Sequence, residues 1–307
     1  MEEVKISRED KLKFLSMSLE EKVQRSKELI LEWYYQYGGN VYVSFSGGKD
    51  STVLLHLVRS LKACKDVPAV FCDTGLEYPD IRKFAMSQEN VTVLKPKLTF
   101  KQVIEKYGYP VISKEQAEYI RQYRTAKSEK TKLQRWTGEG GAGKISEKWK
   151  FLVNAPFKIS EQCCDIMKKG PSKKYEKETG RKPLLGIMAT ESTLRLQKYY
   201  KGNCNAFSAK RPQSMPIAFW NEEDIWEYIR KYNVPYCSIY DKGFERTGCM
   251  FCLFGAYLKN DKRFELMEEN FPQLHSYCME KLGLREVLNF IKNGEKKNGS
   301  KDNLPDK

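Results

Sequence analysis

The 307-residue sequence contains no long apolar run and no evident targeting segment. No stretch approaches the roughly 20 apolar residues that a transmembrane helix requires. The N-terminal residues Met1 to Lys5 carry no basic region followed by an apolar stretch, so secretion and membrane association are not expected. We therefore expect a cytoplasmic protein. In that reducing compartment the nine cysteines are predicted to be thiols, metal ligands or catalytic groups rather than disulfides.

The sequence is also not of the disordered class, because 40% hydrophobic and 12% aromatic residues are enough to form a substantial core. Acidic residues are in the minority: 54 Lys and Arg face 40 Asp and Glu, which gives a net charge of +14. A basic excess favours polyanionic partners such as nucleotides, RNA and DNA. Charge alone does not choose among them, because many lysines are expected on solvated helical faces.

Apolar patterning predicts an α/β fold with a parallel, twisted sheet and helices on both faces. Runs of β-branched and aromatic residues predict strands at 41–45, 68–72, 91–94 and 183–188, and helical patterns lie between them. Strands that alternate with helices imply right-handed crossovers and parallel pairing. The residues after the last strand, 189–192, are then expected at the carboxyl edge of the sheet, where α/β folds bind ligands.

We divide the chain into three segments. Residues 1–39 are predicted to be N-terminal helices, 40–255 the nucleotide-binding and cysteine-containing domain, and 256–307 a C-terminal helical segment with a flexible tail. Within the domain, the basic and glycine-containing residues 113–150 are interpreted as an insertion or mobile flap. The tail is rich in Lys, Asn, Gly and Asp and is predicted to be disordered from about Lys292.

A glycine-rich segment, Ser44-Phe45-Ser46-Gly47-Gly48-Lys49-Asp50-Ser51, follows the first predicted strand and opens a helix. Backbone N–H groups and the positive end of the helix dipole then point at one place, which suits an anion. Gly47 and Gly48 let the backbone approach closely, and Lys49 can place its charge beside a phosphate. The segment is not a Walker A loop, because Asp50 follows Lys49 and the upstream glycine is absent. A tight turn without a ligand is the alternative.

Two motifs carry a resemblance to a known family. The loop resembles the Ser-Gly-Gly-x-Asp-Ser pyrophosphate loop of the PP-loop superfamily of adenine nucleotide enzymes. Asp73-Thr74-Gly75 is similar to the Asp-Thr-Gly segment of phosphoadenosine phosphosulfate (PAPS) and adenosine phosphosulfate (APS) reductases. The resemblance implies binding of ATP or another adenine nucleotide, with Mg²⁺ as a candidate counter-ion. The implied nucleotide-binding residues are Ser44, Ser46, Gly47, Gly48, Lys49, Asp50, Ser51, Asp73, Thr74 and Gly75.

Asp73 also has a role that the residues themselves suggest. A carboxylate at the end of the strand next to the loop is placed to contact ribose or adenine. The alternative is that Asp73 only caps a turn, because Asp-Thr-Gly is common turn chemistry.

Two cysteine groups, Cys163-Cys164 and Cys249-Met250-Phe251-Cys252, together supply four thiolates. Four sulfurs suit zinc or an iron–sulfur cluster, and adjacent cysteines are awkward for one small ion because consecutive side chains diverge. The arrangement is similar to that of the iron–sulfur APS reductases, which bind a [4Fe-4S] cluster through a Cys-Cys pair and a later Cys-x-x-Cys. The resemblance implies that cluster as the cofactor here. Zinc, four unligated thiols and a redox disulfide between Cys249 and Cys252 remain the alternatives.

The same resemblance implies three catalytic basic residues: Lys49 in the loop, Lys168 and Arg195. Lys168 follows Cys164 by four residues and matches a lysine that lies near both cluster and substrate in the APS reductases. Arg195 ends the segment Glu191-Ser192-Thr193-Leu194-Arg195, which is similar to a family Glu-Ser-x-x-Arg segment whose arginine helps to bind the anionic substrate. For Lys168, an exposed helix lysine is the alternative.

Two departures from the family pattern argue against sulfonucleotide reduction. Assimilatory reductases carry a nucleophilic cysteine in a C-terminal Glu-Cys-Gly-x-His segment, whereas this sequence has no cysteine from Leu282 onward and Cys278 lacks that context. Attack on sulfur needs an accessible, activated thiol. In addition, Met188 stands where the reductases commonly place an arginine near the sulfate, so one cation for the anionic group is lost.

Three functions are therefore considered. The first is an enzyme that uses an adenine nucleotide, ATP in our interpretation, beside a [4Fe-4S] cluster to activate an acceptor in sulfur transfer chemistry, with tRNA or DNA as the candidate acceptor. The second is release of sulfite from APS or PAPS, with Cys278, another cysteine or an external thiol as nucleophile and a thiol or electron-donor protein as partner. The third is a non-enzymatic nucleotide-sensing or nucleic-acid-binding module with a structural cluster. The sequence does not indicate the oligomeric state.

Overall fold

The computed structural model describes residues 7–141, 143–258 and 260–299. In chain order, the helices are α1 (Arg8–Ser16), α2 (Leu19–Gln36), α3 (Lys49–Arg59), α4 (Pro79–Met86), α5 (Phe100–Lys106), α6 (Lys114–Thr125), α7 (Glu129–Thr137), α8 (Gly170–Thr179), α9 (Thr193–Lys201), α10 (Glu222–Lys231), α11 (Arg263–Asn270), α12 (Pro272–Ser276) and α13 (Leu284–Gly299). The strands are β1 (Val41–Phe45), β2 (Ala69–Cys72), β3 (Val91–Leu94), β4 (Val111–Ile112), β5 (Lys182–Leu185), β6 (Asn205–Ala206), β7 (Gln213–Ser214) and β8 (Leu253–Phe254). Within the described ranges, no helix is long and apolar enough to cross a membrane.

The chain forms two compact units, each assembled from separated stretches. Unit 1 consists of the described residues up to Asp73, of Tyr78–Lys95 and of Pro171–Tyr240, and unit 2 of Thr74–Glu77, Pro96–Gly170 and the described residues from Asp241 onward. The three linear segments expected from the sequence remain a prediction.

Unit 1 contains a six-stranded sheet with strand order β3-β2-β1-β5-β7-β6. The pairs β1–β2, β1–β5, β2–β3 and β5–β7 are parallel, and β6 pairs with β7 in antiparallel. The predicted α/β class with a mostly parallel sheet is therefore confirmed. The chain places β2 and β3 on one side of β1 and later adds β5 on the other side. The carboxyl end of β1 is thus the topological switch point, where such sheets bind ligands.

The core of unit 1 lies where α2 and α3 pack near β1. Ile30 and Trp33 of α2 are fully buried, as are Val53 and Leu54 of α3. Burial of each such side chain stabilises the fold by about 1.5 to 3 kcal/mol relative to an exposed one. These helices therefore hold the β1–α3 connection in place through packing.

Reciprocal caps fix the starts of two helices in unit 1. At α2, Glu21 N–H donates to Ser18 Oγ and Ser18 N–H donates to the Glu21 carboxylate. At α10, Asp224 N–H donates to Asn221 Oδ1 at 2.9 Å and Asn221 N–H donates to Asp224 at 2.7 Å. Such capping boxes satisfy N–H groups that have no partner within the helix. The first turn of α10 is therefore well defined, which matters for Glu222 below.

Unit 2 contains the short parallel strand pair β4 and β8, in which Val111 pairs with Leu253. The same unit contains α5, α6 and α7 from the middle of the chain and α11, α12 and α13 from its last part. Arg121 of α6 binds Glu161 with two hydrogen bonds of 2.8 and 2.6 Å, a geometry that is stronger than a single contact. The segment 113–150 contains α6 and α7.

The predicted strands at 41–45 and 91–94 are confirmed with those bounds, and the strand at 68–72 is confirmed as β2. The strand predicted over 183–188 is β5, and it ends at Leu185, where Gly186 passes close to the start of α3.

Helix α13 continues through Gly299, and its earlier turns bury Val287 and Ile291. The flexible tail predicted from about Lys292 stays a prediction. The predicted tail residues 300–307 and the N-terminal residues Met1 to Lys5 lie outside the described residues.

Candidate nucleotide loop and cysteine site

The connection between β1 and α3 in unit 1 has the strand–turn–helix geometry that the sequence predicts. Gly47 has φ +75°, and a Cβ built there would lie 3.1 Å from both Cγ2 and O of Ile81. Any other residue would be strained and would clash. Gly48 is the N-cap residue of α3 and has no side chain, so the N–H groups of the first turn are left to other partners.

Two serine hydroxyls meet inside this turn. Ser46 Oγ lies 3.0 Å from Ser51 Oγ, and Ser51 Oγ donates to Gly48 O at 2.9 Å. Gly48 N–H donates to Ser46 Oγ at 3.3 Å. The structure thus brings the two predicted hydroxyls together at the start of α3. Ser44, by contrast, lies within β1, where it is in register with Val70 and Leu185, so it belongs to the sheet and not to the turn.

Lys49 is the predicted cation of the loop, and its side chain is nearly buried. Its ammonium lies 3.2 Å from Glu222 and 3.8 Å from Asp50. The same ammonium lies over the ring of Tyr240, 5.3 Å from the ring centre, and Lys49 N–H donates to the Tyr240 hydroxyl at 2.8 Å. Sequence reasoning missed Glu222 and Tyr240 as loop contacts. No local signal marks them, because only the fold brings these distant residues to the loop.

The end of β5 also reaches the loop. A Cβ built on Gly186 would lie 3.0 Å from Ser51 Cα and 3.1 Å from Ser51 N. A glycine at this position therefore lets the strand pack against the first turn of α3. Because β5 is parallel to β1, the carboxyl ends of the two strands lie at the same edge of the sheet. That this edge binds a ligand stays a prediction.

Arg195 lies in the first turn of α9, whose start is capped by Ser192, which accepts from Arg195 N–H at 3.3 Å. Its guanidinium forms an ion pair with Glu191, and its side chain is 45% exposed. The ion pair thus links the first and last side chains of the predicted Glu-Ser-x-x-Arg segment. The role of Arg195 in binding an anionic substrate stays a prediction.

The Asp-Thr-Gly segment divides between the two units. Asp73, at the end of β2 in unit 1, is nearly buried, and its carboxylate accepts from Arg82 Nε at 3.1 Å. A ribose or adenine contact would have to share this carboxylate with Arg82. Thr74 and Gly75 belong to unit 2, where Gly75 adopts φ +72°.

The four predicted cysteine ligands come together in unit 2. Cys163, Cys164, Cys249 and Cys252 line a single cavity, and Lys168 lines it with them. The apolar residues of its wall are Leu76, Phe100, Pro110, Met167 and Phe254. The Cys163-Cys164 pair directly precedes a π-helical turn, Asp165–Lys169, which contains Lys168. Such turns are rare in proteins, and many of those known lie at functional sites. No pattern in the sequence predicted this one.

Burial is the main influence on the titratable groups of this cavity. Burial, followed by the charges of the neighbouring cysteines, raises the pKa of Cys163, and burial raises the pKa of Cys252 to about 11. Burial lowers the pKa of Lys168, but Cys249 and Glu77 outweigh that effect, so the pKa is raised overall. Cys163 and Cys252 are therefore protonated at neutral pH. Metal ions would have to displace the protons, as they do at thiolate-ligated centres.

A buried carboxylate supports Lys168. Glu77 lies 3.7 Å from the Lys168 ammonium and is nearly buried. Thr74 N–H and Thr74 Oγ each donate to the Glu77 carboxylate at 2.9 Å. Sequence reasoning gave Glu77 no role, although it lies in the segment after Asp-Thr-Gly. The sequence feature that could have pointed to Glu77 is its charge within an otherwise apolar run.

Two contacts fix the Cys-x-x-Cys turn. Met250 N–H donates to Leu76 O at 2.8 Å, and Arg263 Nη1 donates to Cys252 O at 2.8 Å. Arg263 is itself held by the Asp261 carboxylate. Among the described residues, no set of three or more His, Cys, Asp or Glu side chains is placed so as to hold a single metal ion.

The remaining cysteines are mostly buried. Cys64, Cys204 and Cys237 are at most 3% exposed, as expected for small core residues, whereas Cys72 is half-buried. Cys278 is fully buried, and its Sγ donates to His275 O at 3.2 Å. Burial raises the pKa of Cys278 to about 12. A buried thiol with a raised pKa is a poor nucleophile, so the structure does not favour Cys278 for that role.

Comparison with known proteins gives consistent results. A family model described as the phosphoadenosine phosphosulfate reductase domain matches residues 40–139 and 121–253. The matched ranges contain the loop and all four cysteines of the cavity.

Individual relatives differ in how much of their length is matched. An uncharacterized protein of Methanocaldococcus jannaschii is 29% identical over 264 residues, which cover 83% of this chain and 51% of that protein. The chain thus spans about half the length of this relative. An adenosine 5'-phosphosulfate reductase of Staphylococcus haemolyticus is 26% identical over 246 residues, 76% of this chain and 79% of that protein. The solved phosphoadenylyl-sulfate reductase of Candida auris has a TM-score of 0.40 and 17% identity over 73% of this chain and 87% of its own.

Proposed function

This chain belongs to the phosphoadenosine phosphosulfate reductase family, and on that premise we propose that it is an enzyme that binds an adenine nucleotide. The nucleotide is ATP, and the reaction activates an acceptor for sulfur transfer. One observation carries the proposal. The turn after β1 gathers the Ser46 and Ser51 hydroxyls, the Lys49 ammonium and the start of α3 at the switch point of the sheet.

The loop is suited to hold a leaving pyrophosphate. In the proposed step a nucleophilic atom of the acceptor forms a bond to the α-phosphorus of ATP. The bond from that phosphorus to its bridging oxygen breaks, and pyrophosphate departs with the bonding electrons. Negative charge develops on the departing oxygens, where the helix N–H groups and Lys49 stabilise it. Mg²⁺ is the candidate counter-ion for the remaining phosphate charge.

We assign a [4Fe-4S] cluster to Cys163, Cys164, Cys249 and Cys252. The support is the donor set, since four cysteine thiols line one cavity. Four cysteine thiolates would hold such a cluster, whereas zinc would need all four sulfurs to converge on one ion at about 2.3 Å. The Lys168 ammonium offsets part of the negative charge of four thiolates. When bound, such a cluster supplies electron transfer or an iron that can hold sulfur.

Nucleic acid is the acceptor that we propose, with tRNA and DNA as the two candidates. The net charge of +14 supports a polyanionic partner. Lys127, which lies between α6 and α7, and Lys130, which lies in α7, are both exposed. Not every basic residue of this segment is available, because Arg121 binds Glu161 and Arg124 donates to backbone carbonyls of the same unit. The double charge reversal K127E/K130E should weaken tRNA or DNA binding and reduce its salt dependence in filter-binding assays.

Reduction of APS or PAPS to sulfite is the second candidate, and the extent of the Staphylococcus haemolyticus match favours it. That reaction needs a nucleophilic thiol. The buried Cys278 does not suit this role, so under this candidate the thiol comes from an external donor.

Anaerobic purification with iron, sulfide and zinc analysis tests the cluster, and parallel assays of pyrophosphate release from ATP and sulfite release from APS or PAPS test the reaction. We expect iron and sulfide near four each per chain, and their loss in Cys249→Ser but not in the matched core variant Cys204→Ser. Zinc in place of iron would reject the cluster. Sulfite release that depends on added thiol, without pyrophosphate release from ATP, would select the second candidate.

A further inference from the structure

Two side chains outside the predicted loop contact the groups of Lys49 that a phosphate would use. The Tyr240 hydroxyl accepts from Lys49 N–H at 2.8 Å, and the Glu222 carboxylate lies 3.2 Å from the Lys49 ammonium. Lys49 is the first residue of α3, so its N–H is among those that the helix start offers to an anion. Both polar groups of this one residue are therefore engaged by other parts of unit 1.

Tyr240 is held beside the loop from two sides. Its ring packs edge-on against Trp226 of α10, with 5.4 Å between the ring centres. Two residues earlier, Ser238 Oγ donates to the Asp80 carboxylate in the first turn of α4 at 3.1 Å. The next residue of α4, Ile81, is the one that faces Gly47. The phenol is thus positioned by the same elements that shape the turn.

Both contacts compete with a phosphate. A backbone N–H has one hydrogen, so a phosphate oxygen that binds Lys49 N–H must take the place of the phenol oxygen. A carboxylate beside the ammonium offsets its charge and repels an incoming anion. The side chain of Glu222 is 55% exposed, so it can turn away into solvent when an anion arrives.

We propose that Tyr240 and Glu222 are internal competitors for the phosphate-binding groups of Lys49, and that they set how tightly the loop binds phosphate-bearing ligands. This inference rests on the proposed nucleotide binding. A ligand with a pyrophosphate group displaces the phenol from the N–H and the carboxylate from the ammonium. Adenosine has no phosphate and leaves both contacts in place, so the cost of displacement falls only on ligands that carry phosphate.

Calorimetric titration of the whole chain with ATP, inorganic pyrophosphate and adenosine tests this role. Tyr240→Phe keeps the ring and removes only the hydroxyl, and Tyr236→Phe is its control because Tyr236 belongs to the same aromatic group. We expect Tyr240→Phe to bind ATP and pyrophosphate roughly two- to tenfold more tightly, the range that one hydrogen bond is worth. Binding of adenosine and the thermal midpoint of unfolding should not change.

Glu222→Gln supplies an independent measurement with a matched charge control. Glu223→Gln removes an equal charge from the same first turn of α10. We expect Glu222→Gln to bind pyrophosphate more tightly than Glu223→Gln, and the difference to shrink as salt is added.

Several results would overturn the inference. Weaker or unchanged pyrophosphate binding by Tyr240→Phe would mean that the phenol assists the phosphate or does not meet it. Equal gains in the control variants would mean that the effect is not specific to Lys49. A different result, in which neither the wild-type protein nor any variant binds ATP or pyrophosphate, would reject the proposed nucleotide binding itself.

Discussion

Replacement of Gly47 by alanine tests whether backbone conformation and close packing fix the phosphate loop. An alanine at φ +75° costs about 1 to 2 kcal/mol for the left-handed conformation. Its Cβ would also meet Ile81 at 3.1 Å, partly at the backbone O, and such overpacking costs a further ~1 to 3 kcal/mol. We therefore expect the free energy of unfolding to fall by roughly 2 to 5 kcal/mol.

Gly38→Ala is the control for this experiment. Gly38 also has a positive φ, +54°, but among the described residues no heavy atom beyond its chain neighbours lies within 4 Å of a Cβ built there. It should therefore show only the conformational cost of about 1 to 2 kcal/mol. The difference between the two variants isolates the contact with Ile81. Urea unfolding followed by tryptophan fluorescence measures it, because Trp33 and Trp220 are fully buried in unit 1.

Binding supplies the second readout. Under conditions where Gly47→Ala is still folded, the displaced turn should bind pyrophosphate at least tenfold more weakly than Gly38→Ala. The reasoning is refuted if the two variants unfold within about 0.5 kcal/mol of each other and bind pyrophosphate equally well.

Three further predictions follow from single contacts. Gly186→Ala pushes β5 away from the backbone of Ser51, so the free energy of unfolding in urea should fall by about 1 to 3 kcal/mol and pyrophosphate should bind more weakly. Unchanged stability and binding would contradict the close approach of β5 to Ser51. With its pKa raised to about 12, Cys278 should resist iodoacetamide at pH 8 in the folded protein and react only after unfolding, as mass spectrometry can show; rapid labelling of the native chain would restore it as a nucleophile. Lys22→Met leaves the buried Asp224 without its 2.7 Å partner and should lower the free energy of unfolding by about 3 to 5 kcal/mol, whereas the double variant K22M/D224N should lose less.

Local sequence patterns predicted much of this protein's fold. β1, β2 and β3 were predictable because short β-branched runs alternate with helical ones, and that alternation also required parallel pairing. The turn at Gly47 and Gly48 was predictable for the same reason, since it depends on a few consecutive residues.

The candidate sites show the same division between local and distant information. That Cys163, Cys164, Cys249 and Cys252 share a cavity was expected, but only through resemblance to a family, since spacing along the chain does not bring two cysteine pairs together. Only the fold shows that the Glu77 carboxylate lies next to the Lys168 ammonium.

The sequence by itself determined that a strand, a glycine turn and a helix would present N–H groups, two hydroxyls and a lysine to an anion. Only the tertiary structure decided what else meets those groups. The pairing of β1 with β5 brings Gly186 to the turn, and the start of α10 brings Glu222 to Lys49. Tyr240, whose ring packs against Trp226 of α10, reaches the N–H of Lys49. These contacts join residues far apart in the chain, and their energies depend on distance in space, which no local pattern of residues encodes.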